Sequence, residues 1–597
     1  MSTPPWEQAP PPAAIPGHRP AQHRQSSRGQ SLPAGQDHPR RVARGQQPRS
    51  RDAPAEPPAE ADTVLFPSLP DTRLAAPRRA PAPPDPDQSR PAAPAPAAPA
   101  TRRRTWVSRG VLAAILVMQA ALSLRMQNTA FEDEALYLYA GHMELGHFLY
   151  GYALQGDYPS YFSGAPVLYP VLGAVADSLG GLAGARAVSL AAALATTALL
   201  YALTRRLFNE RVGLCAALIF SVTESALVLG HLATYDASAL FLLALAAWIV
   251  VRSAAFWLPL YLLAAPVLAL AVAGKYAALL FVPTVVALAG LAGWPYRGWK
   301  ALIRPAVLAV ITGELLSWAL HQAGQDYRHG IAFTTTSRLH GSTPAATLAL
   351  DWVKWGGLPF ALALAGAVAY AWRPENEAGE QIAPAGGRWR RSLLGLVLTG
   401  TALLAPAEQL RLHTETSLYK HIGFGLLFAA PLAGVGLARI VGDHFRRAQL
   451  GIAIWGAALV LGMVQAQDLF SSWPSSGLFV QEFSRYLRPG AHYLAEVDEV
   501  PIYYLRLNPA AQPHQFTSTY FLGYTTPQGR YLTGTAAYLA AIKAGYFRVI
   551  SYNYQVTPAL DAVIARTLQS DPRYRLAAAI PNRNGTSTGA DYVWVRR

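Results

Sequence analysis

Three adjacent carboxylates, Glu132, Asp133 and Glu134, follow the first long apolar run of the chain. Adjacent carboxylates repel one another, so the pKa of one of them is expected to be raised. A carboxyl group in that condition suits general base catalysis at an interface. The alternative is structural, because acidic residues are also favoured at the amino terminus of a helix. The spacing alone slightly favours this structural alternative.

A further acid, Asp236, lies in a very short segment between two apolar runs, with His231 and Tyr235 just before it. An acid in such a tight connection is held at the membrane surface, and ionisable groups at membrane depth commonly serve function. The alternative is that Asp236 caps the helix that follows it. The sequence does not separate the two interpretations.

Several cations and one histidine lie in connections that the charge pattern assigns to the same side of the membrane. Arginine and lysine beside hydroxyl groups are suited to holding a phosphate. For Lys275 the alternative is an interfacial lysine whose aliphatic stem lies along apolar surface. The candidates for binding an anion on that side are Lys275, Arg338, Arg411, His413 and Lys420.

Long apolar runs must position these residues, and most are long enough to cross a hydrocarbon core, which takes roughly 20 residues. We count about eleven such runs. They lie near 106–125, 183–204, 212–230, 235–251, 256–273, 276–293, 304–320, 350–371, 392–407, 419–438 and 450–466. Basic residues alternate between connections, which places the amino terminus inside. An odd count then places the carboxyl-terminal stretch outside.

The sequence therefore predicts an α-helical polytopic membrane protein. Residues 105–468 form the transmembrane domain, with a long first outer loop over 126–182. Residues 469–597 read as a small extracytoplasmic α/β domain, because strand-like and helix-like runs alternate there. Residues 1–104 are rich in proline, alanine and arginine, and 24 of the 47 prolines lie in the first 100 residues. This composition predicts a disordered cytoplasmic tail.

The formal net charge of +15 does not indicate nucleic-acid binding. Residues 1–104 hold 15 arginines and 9 acids, and the remaining positive charge is spread over short connections. That distribution is typical of a multi-pass membrane protein in a lipid bilayer. The single cysteine excludes an intramolecular disulfide. The preference for arginine over lysine, with abundant alanine, glycine and proline, suggests a GC-rich bacterium. The apolar runs then predict a multi-pass protein of its plasma membrane.

With these residues in place, the chain resembles the GT-C superfamily of membrane glycosyltransferases over roughly 106–470. It is most similar to the branch with the protein O-mannosyltransferases and the lipid A aminoarabinose transferases. The resemblance is carried by the Asp133-Glu134 pair opening the first outer loop and by Asp236 between the third and fourth spans. A soluble carboxyl-terminal domain is also common in the superfamily.

The resemblance implies a donor sugar linked through one phosphate to a polyprenol, and a transfer that inverts the anomeric centre. Asp133 would be the general base on an acceptor hydroxyl, and Glu134 and Asp236 would orient the acceptor or the donor phosphate region. Glu132 departs from the simple acid pair, which leaves open which acid is the base. The acceptor is a protein, a lipid or a cell-wall glycan. Assistance by a divalent metal is also left open.

Two other function classes fit part of the pattern. A transporter or lipid flippase would explain the spans and the acids Glu224 and Glu314 inside them. It predicts repeated halves with interrupted helices, which the sequence does not show. A non-catalytic membrane scaffold would use the α/β domain as a binding module. It predicts that no phenotype depends on Asp133 or Asp236.

Overall fold

The computed structural model describes residues 102–125, 128–255, 259–338, 340–372, 386–473, 475–584 and 587–597. The predicted disordered tail over 1–104 lies almost wholly outside these residues and stays a prediction.

Helices make up most of the described chain as far as Ser484. The first ten are α1 (Arg102–Leu124), α2 (Glu132–Tyr150), α3 (Tyr169–Leu207), α4 (Glu210–Phe220), α5 (Glu224–Leu229), α6 (Tyr235–Arg252), α7 (Pro259–Leu262), α8 (Ala264–Gly274), α9 (Val282–Arg297) and α10 (Ile303–Gln322). They are followed by α11 (Gln325–Thr334), α12 (Ala345–Trp372), α13 (Arg388–Gly400), α14 (Leu404–Leu412), α15 (Leu418–Val441), α16 (Ala448–Ser472) and α17 (Gly477–Ser484).

By length and composition, eight helical segments among the described residues are suited to crossing a membrane. They are Trp106–Leu124, Tyr169–Leu207, Tyr235–Arg252, Tyr276–Gln322, Ala345–Trp372, Arg388–Leu412, Leu418–Val441 and Ala448–Ser484. A shorter apolar segment covers Leu260–Gly274. Two predicted spans merge in Tyr276–Gln322, and the predicted span 212–230 divides into α4 and α5. The expected number of about eleven spans stays a prediction.

The segment predicted as a first outer loop, 126–182, is largely helical. Helix α2 begins at Glu132, and α3 begins at Tyr169, well before the predicted span at 183. Helix α3 is interrupted at Gly180 and Gly181, and Gly181 has a φ of 62°, in the left-handed region that favours glycine. The sequence signal for the span therefore starts where the second part of α3 starts.

Close packing of backbones holds the helical domain together. Helix α15 is buried along nearly its whole length. At its contact with α12, a Cβ atom on Gly366 would lie 1.9 Å from the carbonyl oxygen of Leu432. A Cβ on Gly436 would lie 2.2 Å from the carbonyl oxygen of Leu362. Glycine at these two positions lets the helices approach more closely than any side chain allows.

The carboxyl-terminal domain is a small α/β unit, as the sequence predicts. Its strands are β1 (His492–Ala495), β2 (Phe516–Thr517), β3 (Gly523–Thr525), β4 (Tyr531–Thr533), β5 (Phe547–Tyr552), β6 (Tyr574–Asn584) and β7 (Ser587–Arg596). Its helices are α18 (Glu499–Tyr504), α19 (Gly534–Lys543) and α20 (Pro558–Ser570). Five strands form one sheet in the order β2-β1-β5-β7-β6, parallel at β2-β1-β5 and antiparallel at β5-β7-β6. Strands β3 and β4 form a separate antiparallel pair.

This domain is joined to the helical domain just before α2. The buried backbone of Ala130 donates its N–H to the Tyr504 hydroxyl at 2.8 Å. Its carbonyl accepts the indole N–H of Trp473 at 2.9 Å. Nearby, Asp177 of α3 accepts hydrogen bonds from Tyr503 at 2.6 Å and Arg506 at 3.0 Å. Because α18 supplies Tyr503 and Tyr504, it fixes the start of α2.

We expect Gly366→Ala to destabilise the protein by about 1–3 kcal/mol, because its methyl group would overlap the α15 backbone. The matched control is Gly313→Ala in α10, where an added Cβ meets no atom within 4 Å. That change is expected to be neutral or slightly stabilising, since alanine is the better helix former. Thermal unfolding in detergent measures both. Equal melting temperatures for the two variants would contradict the packing argument.

Candidate active site

Two buried ion pairs lie at the end of the helical domain that faces the carboxyl-terminal domain. Asp133 pairs with Lys420, and the Asp236 carboxylate lies 2.7 Å from the Lys275 ammonium. The two lysine side chains are at most 5% exposed and Asp236 is fully buried, whereas Asp133 keeps 29% exposure. Burial of a charge is costly unless it is paired. The four residues therefore form neutral pairs, with Asp133 the member open to solvent.

Helix ends position all four charges. Asp133 lies in the first turn of α2 and Asp236 in the first turn of α6, where the helix dipole favours negative charge. Lys275 follows the last residue of α8, where the dipole favours positive charge. The structural alternative for Asp236 was wrong, because Thr234 occupies the capping position. Lys275 is not at an exposed interface either, because it is buried against Asp236.

Glu134 has a different environment from its neighbour Asp133. It is fully buried and accepts two hydrogen bonds from the Arg186 guanidinium, at 2.8 and 2.7 Å. It also accepts the backbone N–H of Ala233 at 2.7 Å and of Phe131 at 2.9 Å. All its oxygens are therefore occupied by protein donors, and Glu134 holds α2 and α3 to the segment before α6. A role in contact with substrate stays a prediction that these contacts disfavour.

Two cavities meet at Glu132 and Asp133. The larger has a volume of about 660 Å³, and the smaller one about 120 Å³. Lys275 lines the larger cavity and Lys420 lines the smaller. Asp133 thus separates two spaces that two reactants can occupy.

The other predicted cations differ in how they are paired. Arg338 lines the larger cavity and donates to the Thr416 carbonyl at 3.2 Å. Arg411 lines the same cavity but forms a bidentate ion pair with Glu408, at 2.9 and 2.6 Å. In the described ranges, Arg338 has no carboxylate within ion-pair distance. It is therefore the guanidinium available to an anion in the cavity.

His421 was not among the predicted site residues, although it follows Lys420 in the sequence. It lines the larger cavity, and its Nε2 atom is buried without a hydrogen-bond partner among the described residues. The predicted His413 is instead exposed, at the left-handed end of α14 (φ 51°), and lies outside both cavities. The adjacency to Lys420 was the signal available in the sequence.

His231 and Tyr235 support the site without lining either cavity. The His231 ring is within hydrogen-bond distance of the Ser123 carbonyl at 3.0 Å and the Asn128 side chain at 3.1 Å. The Tyr235 hydroxyl donates to Tyr137 at 2.7 Å, and the Lys275 ammonium lies 4.8 Å from the centre of the Tyr235 ring. His231 therefore ties α1 to the site, and Tyr235 packs under the second ion pair.

The carboxyl-terminal domain contributes two residues that the sequence did not reveal. Glu499 and Tyr520 both line the larger cavity, and the Tyr520 hydroxyl donates to Glu132 Oε1 at 2.7 Å. Burial, followed by the charges of Glu499 and Asp133, raises the pKa of Glu132 well above its usual range. Burial and the neighbouring Asp498 likewise raise the pKa of Glu499. Glu132 is thus the acid with the raised pKa that the sequence predicts.

Metal assistance, left open by the sequence, receives no support from side-chain clustering. Across the described ranges, no group of three or more histidine, cysteine, aspartate or glutamate side chains is arranged to hold a metal ion.

One family model matches the sequence over residues 171–317, and its description is dolichyl-phosphate-mannose-protein mannosyltransferase. This range contains the Asp236–Lys275 pair but neither Asp133 nor Lys420. No curated protein sequence matches the chain.

The chain is also similar to solved structures of membrane proteins. ArnT from Cupriavidus metallidurans, bound to undecaprenyl phosphate, matches with a TM-score of 0.52 and 14% identity, over 83% of this chain and 98% of that one. The apo oligosaccharyltransferase of Archaeoglobus fulgidus matches with a TM-score of 0.48 and 12% identity, over 76% of this chain and 70% of that one. The ArnT likeness shows the fold. With the family match, it supports the predicted resemblance to GT-C glycosyltransferases.

We expect Glu134→Gln to destabilise the protein by about 3–5 kcal/mol, because it leaves the buried Arg186 guanidinium without its counter-charge. The matched control is Glu408→Gln, which removes an exposed ion pair with Arg411 and should cost at most about 1 kcal/mol. Thermal unfolding in detergent compares them. A Glu134→Gln variant as stable as wild type would show that the buried pair is not structural.

Proposed function

We propose that this chain is an inverting glycosyltransferase that moves a sugar from a polyprenyl-phosphate donor to an acceptor hydroxyl. The observation that carries this proposal is the position of Asp133. It lies where a small cavity meets a larger cavity that is lined by basic side chains. The likeness to ArnT, which was solved with undecaprenyl phosphate bound, supports a donor of this kind. In this proposal the reaction takes place on the outer face of the plasma membrane.

The donor phosphate is best accommodated in the larger cavity. Lys275 and Lys420 are already neutralised by aspartates, and Arg411 by Glu408. Arg338 and His421 remain as donors on the cavity wall. A guanidinium and an imidazole N–H suit phosphate oxygens. Lys275 lines the same cavity but stays paired with Asp236.

Among the three adjacent acids, Asp133 is the one suited to act as the base. Glu134 has no free oxygen, since four protein donors occupy it. Glu132 already accepts the Tyr520 hydroxyl at Oε1, so it is less available than Asp133 to an acceptor hydroxyl. Asp133 is ion-paired, partly exposed and lines both cavities. In this proposal Asp133 is therefore the acid of the run that carries the reaction.

The chemistry follows from these positions. Asp133 takes the proton of the acceptor hydroxyl, whose oxygen attacks the anomeric carbon from the side opposite the phosphate. The bond between that carbon and the phosphate oxygen breaks, and the electron pair leaves with the polyprenyl phosphate. Cations fixed near the phosphate stabilise the developing charge. One direct displacement inverts the anomeric centre, and the proton remains on Asp133 until solvent removes it.

The acceptor is proposed to approach through the smaller cavity. Its walls combine apolar groups with hydroxyl and amide side chains, including Phe131, Trp473, Ser472 and Asn128. A protein, a lipid or a cell-wall glycan would each present a hydroxyl there. A labelled product formed from a membrane and wall extract would identify the class.

We expect Asp133→Asn to reduce sugar transfer by at least about 100-fold, because general base catalysis contributes about 10²–10⁴-fold. Glu132→Gln is the matched neighbour. Glutamine keeps an oxygen that can accept the Tyr520 hydroxyl, so this variant should retain at least ten times more activity than Asp133→Asn. Transfer from radiolabelled polyprenyl-phosphate sugars measures both. Inactive Glu132→Gln beside active Asp133→Asn would reassign the base to Glu132.

Arg338→Gln is expected to weaken binding of polyprenyl phosphate by about 10–100-fold, since a hydrogen bond to a charged group contributes about 1.5–3 kcal/mol. Arg328→Gln is the control, because that exposed arginine donates to the Leu320 carbonyl outside both cavities. Titration of the purified protein with undecaprenyl phosphate measures the dissociation constant. Unchanged affinity in Arg338→Gln would contradict the proposal that the donor phosphate binds at Arg338.

A further inference from the structure

The wall that the carboxyl-terminal domain adds to the larger cavity has a chemical character of its own. Glu499 opens α18, and Tyr520 lies between β2 and β3. Tyr520 donates to Glu132, which is one residue from the proposed base. The Oε2 atom of Glu499 is buried and has no hydrogen-bond partner among the described residues. An unsatisfied buried oxygen beside a cavity is a binding position for a hydroxyl group of a ligand.

Aromatic rings from the helical domain complete this wall. Tyr161 and Phe162 line the same cavity, and their rings pack edge to face with centroids 5.2 Å apart. Glu499 lines this same cavity together with the two rings. Carboxyl groups accept or donate hydrogen bonds to hydroxyls, and aromatic rings pack against apolar faces. A sugar ring presents both kinds of surface.

The proposed positions of the phosphate and of the reacting carbon place the sugar against the wall formed by Glu499 and Tyr520. In the proposed function, the phosphate binds at Arg338 and His421, and the reacting carbon lies beside Asp133. Asp133, Glu499 and Tyr520 all line this cavity, and Tyr520 is hydrogen-bonded to Glu132, the neighbour of Asp133. A sugar attached to that phosphate and reaching Asp133 therefore extends towards Glu499 and Tyr520.

We propose that Tyr520 and Glu499 of the carboxyl-terminal domain contact the transferred sugar and determine which sugar the protein accepts. This inference rests on the proposed function and assigns part of its specificity to a domain outside the transmembrane helices. Tyr520 also positions Glu132 through their hydrogen bond, so the two domains form one site.

The test compares polyprenyl-phosphate mannose, glucose and arabinose as donors for the full-length protein. Glu499→Gln and Tyr520→Phe are expected to change the ratio of kcat/KM between the best and second-best donor by at least about tenfold, mainly through KM. The matched controls are Glu482→Gln, which lies in an ion pair with Arg485, and Tyr531→Phe, whose side chain is 61% exposed. They should leave the ratio unchanged.

A second measurement separates sugar contact from a structural role. Sugar-free undecaprenyl phosphate should bind to Glu499→Gln and Tyr520→Phe as tightly as to wild type, because neither residue is placed at the phosphate. Weakened binding in both variants would overturn the inference in favour of a distorted site. Wild-type selectivity in active variants would also overturn it, while leaving the proposed function standing. A wild-type protein that transfers no sugar from any donor would overturn both.

Discussion

The arrangement of the site depends on the cost of burying charge. Asp236, Lys275 and Lys420 are buried and Asp133 is only partly exposed, and each charge is tolerable there because an opposite charge lies beside it. Each pair therefore fixes the relative positions of two elements that are far apart in sequence. Asp133 and Lys420 hold α2 against α15, and Asp236 and Lys275 hold α6 against the end of α8. The cavities are bounded by elements held in this way.

Helix polarity supports this arrangement at three of the four positions. Both acids lie in the first turns of helices, and Lys275 follows the end of one. Lys420 is the exception, because it lies in the first turn of α15, where the dipole disfavours a cation. Asp133 compensates for this, so the charge of the proposed base and the position of α15 depend on each other.

Much of the fold was predictable from the sequence, because hydrophobic runs and strand-like patterns are local properties. The helical domain, the α/β domain and the acids Asp133 and Asp236 between the apolar runs were all identified from such patterns. Partners were not predictable: Glu132 and Tyr520 are 388 positions apart, and no local pattern encodes their contact. Glu499 escaped notice for the same reason.

Ion pairing also decides which charged side chains can bind a ligand. For Arg411, the local spacing of charges in the sequence already indicated such a pair. Arg411 was predicted to bind phosphate from its charge and its predicted side of the membrane. Glu408 lies three residues before it, a spacing at which helical side chains meet, and the two form an ion pair. Arg186 was not considered at all, because it lies within a helix whose apolar character dominates the sequence. Its hydrogen bonds occupy both oxygens of Glu134, so this member of the acidic run is not available to a ligand.

Hydrogen bonds hold both polar groups of the Ala130 backbone: its N–H donates to Tyr504, and its carbonyl accepts from Trp473. The peptide that leads into the first turn of α2 is therefore held by side chains from much later in the chain. A substitution on one side of this contact requires a compatible residue on the other. In any recombination between relatives, whether natural or engineered, the carboxyl-terminal domain and the segment entering α2 would be inherited as one cassette, although more than 300 residues separate them.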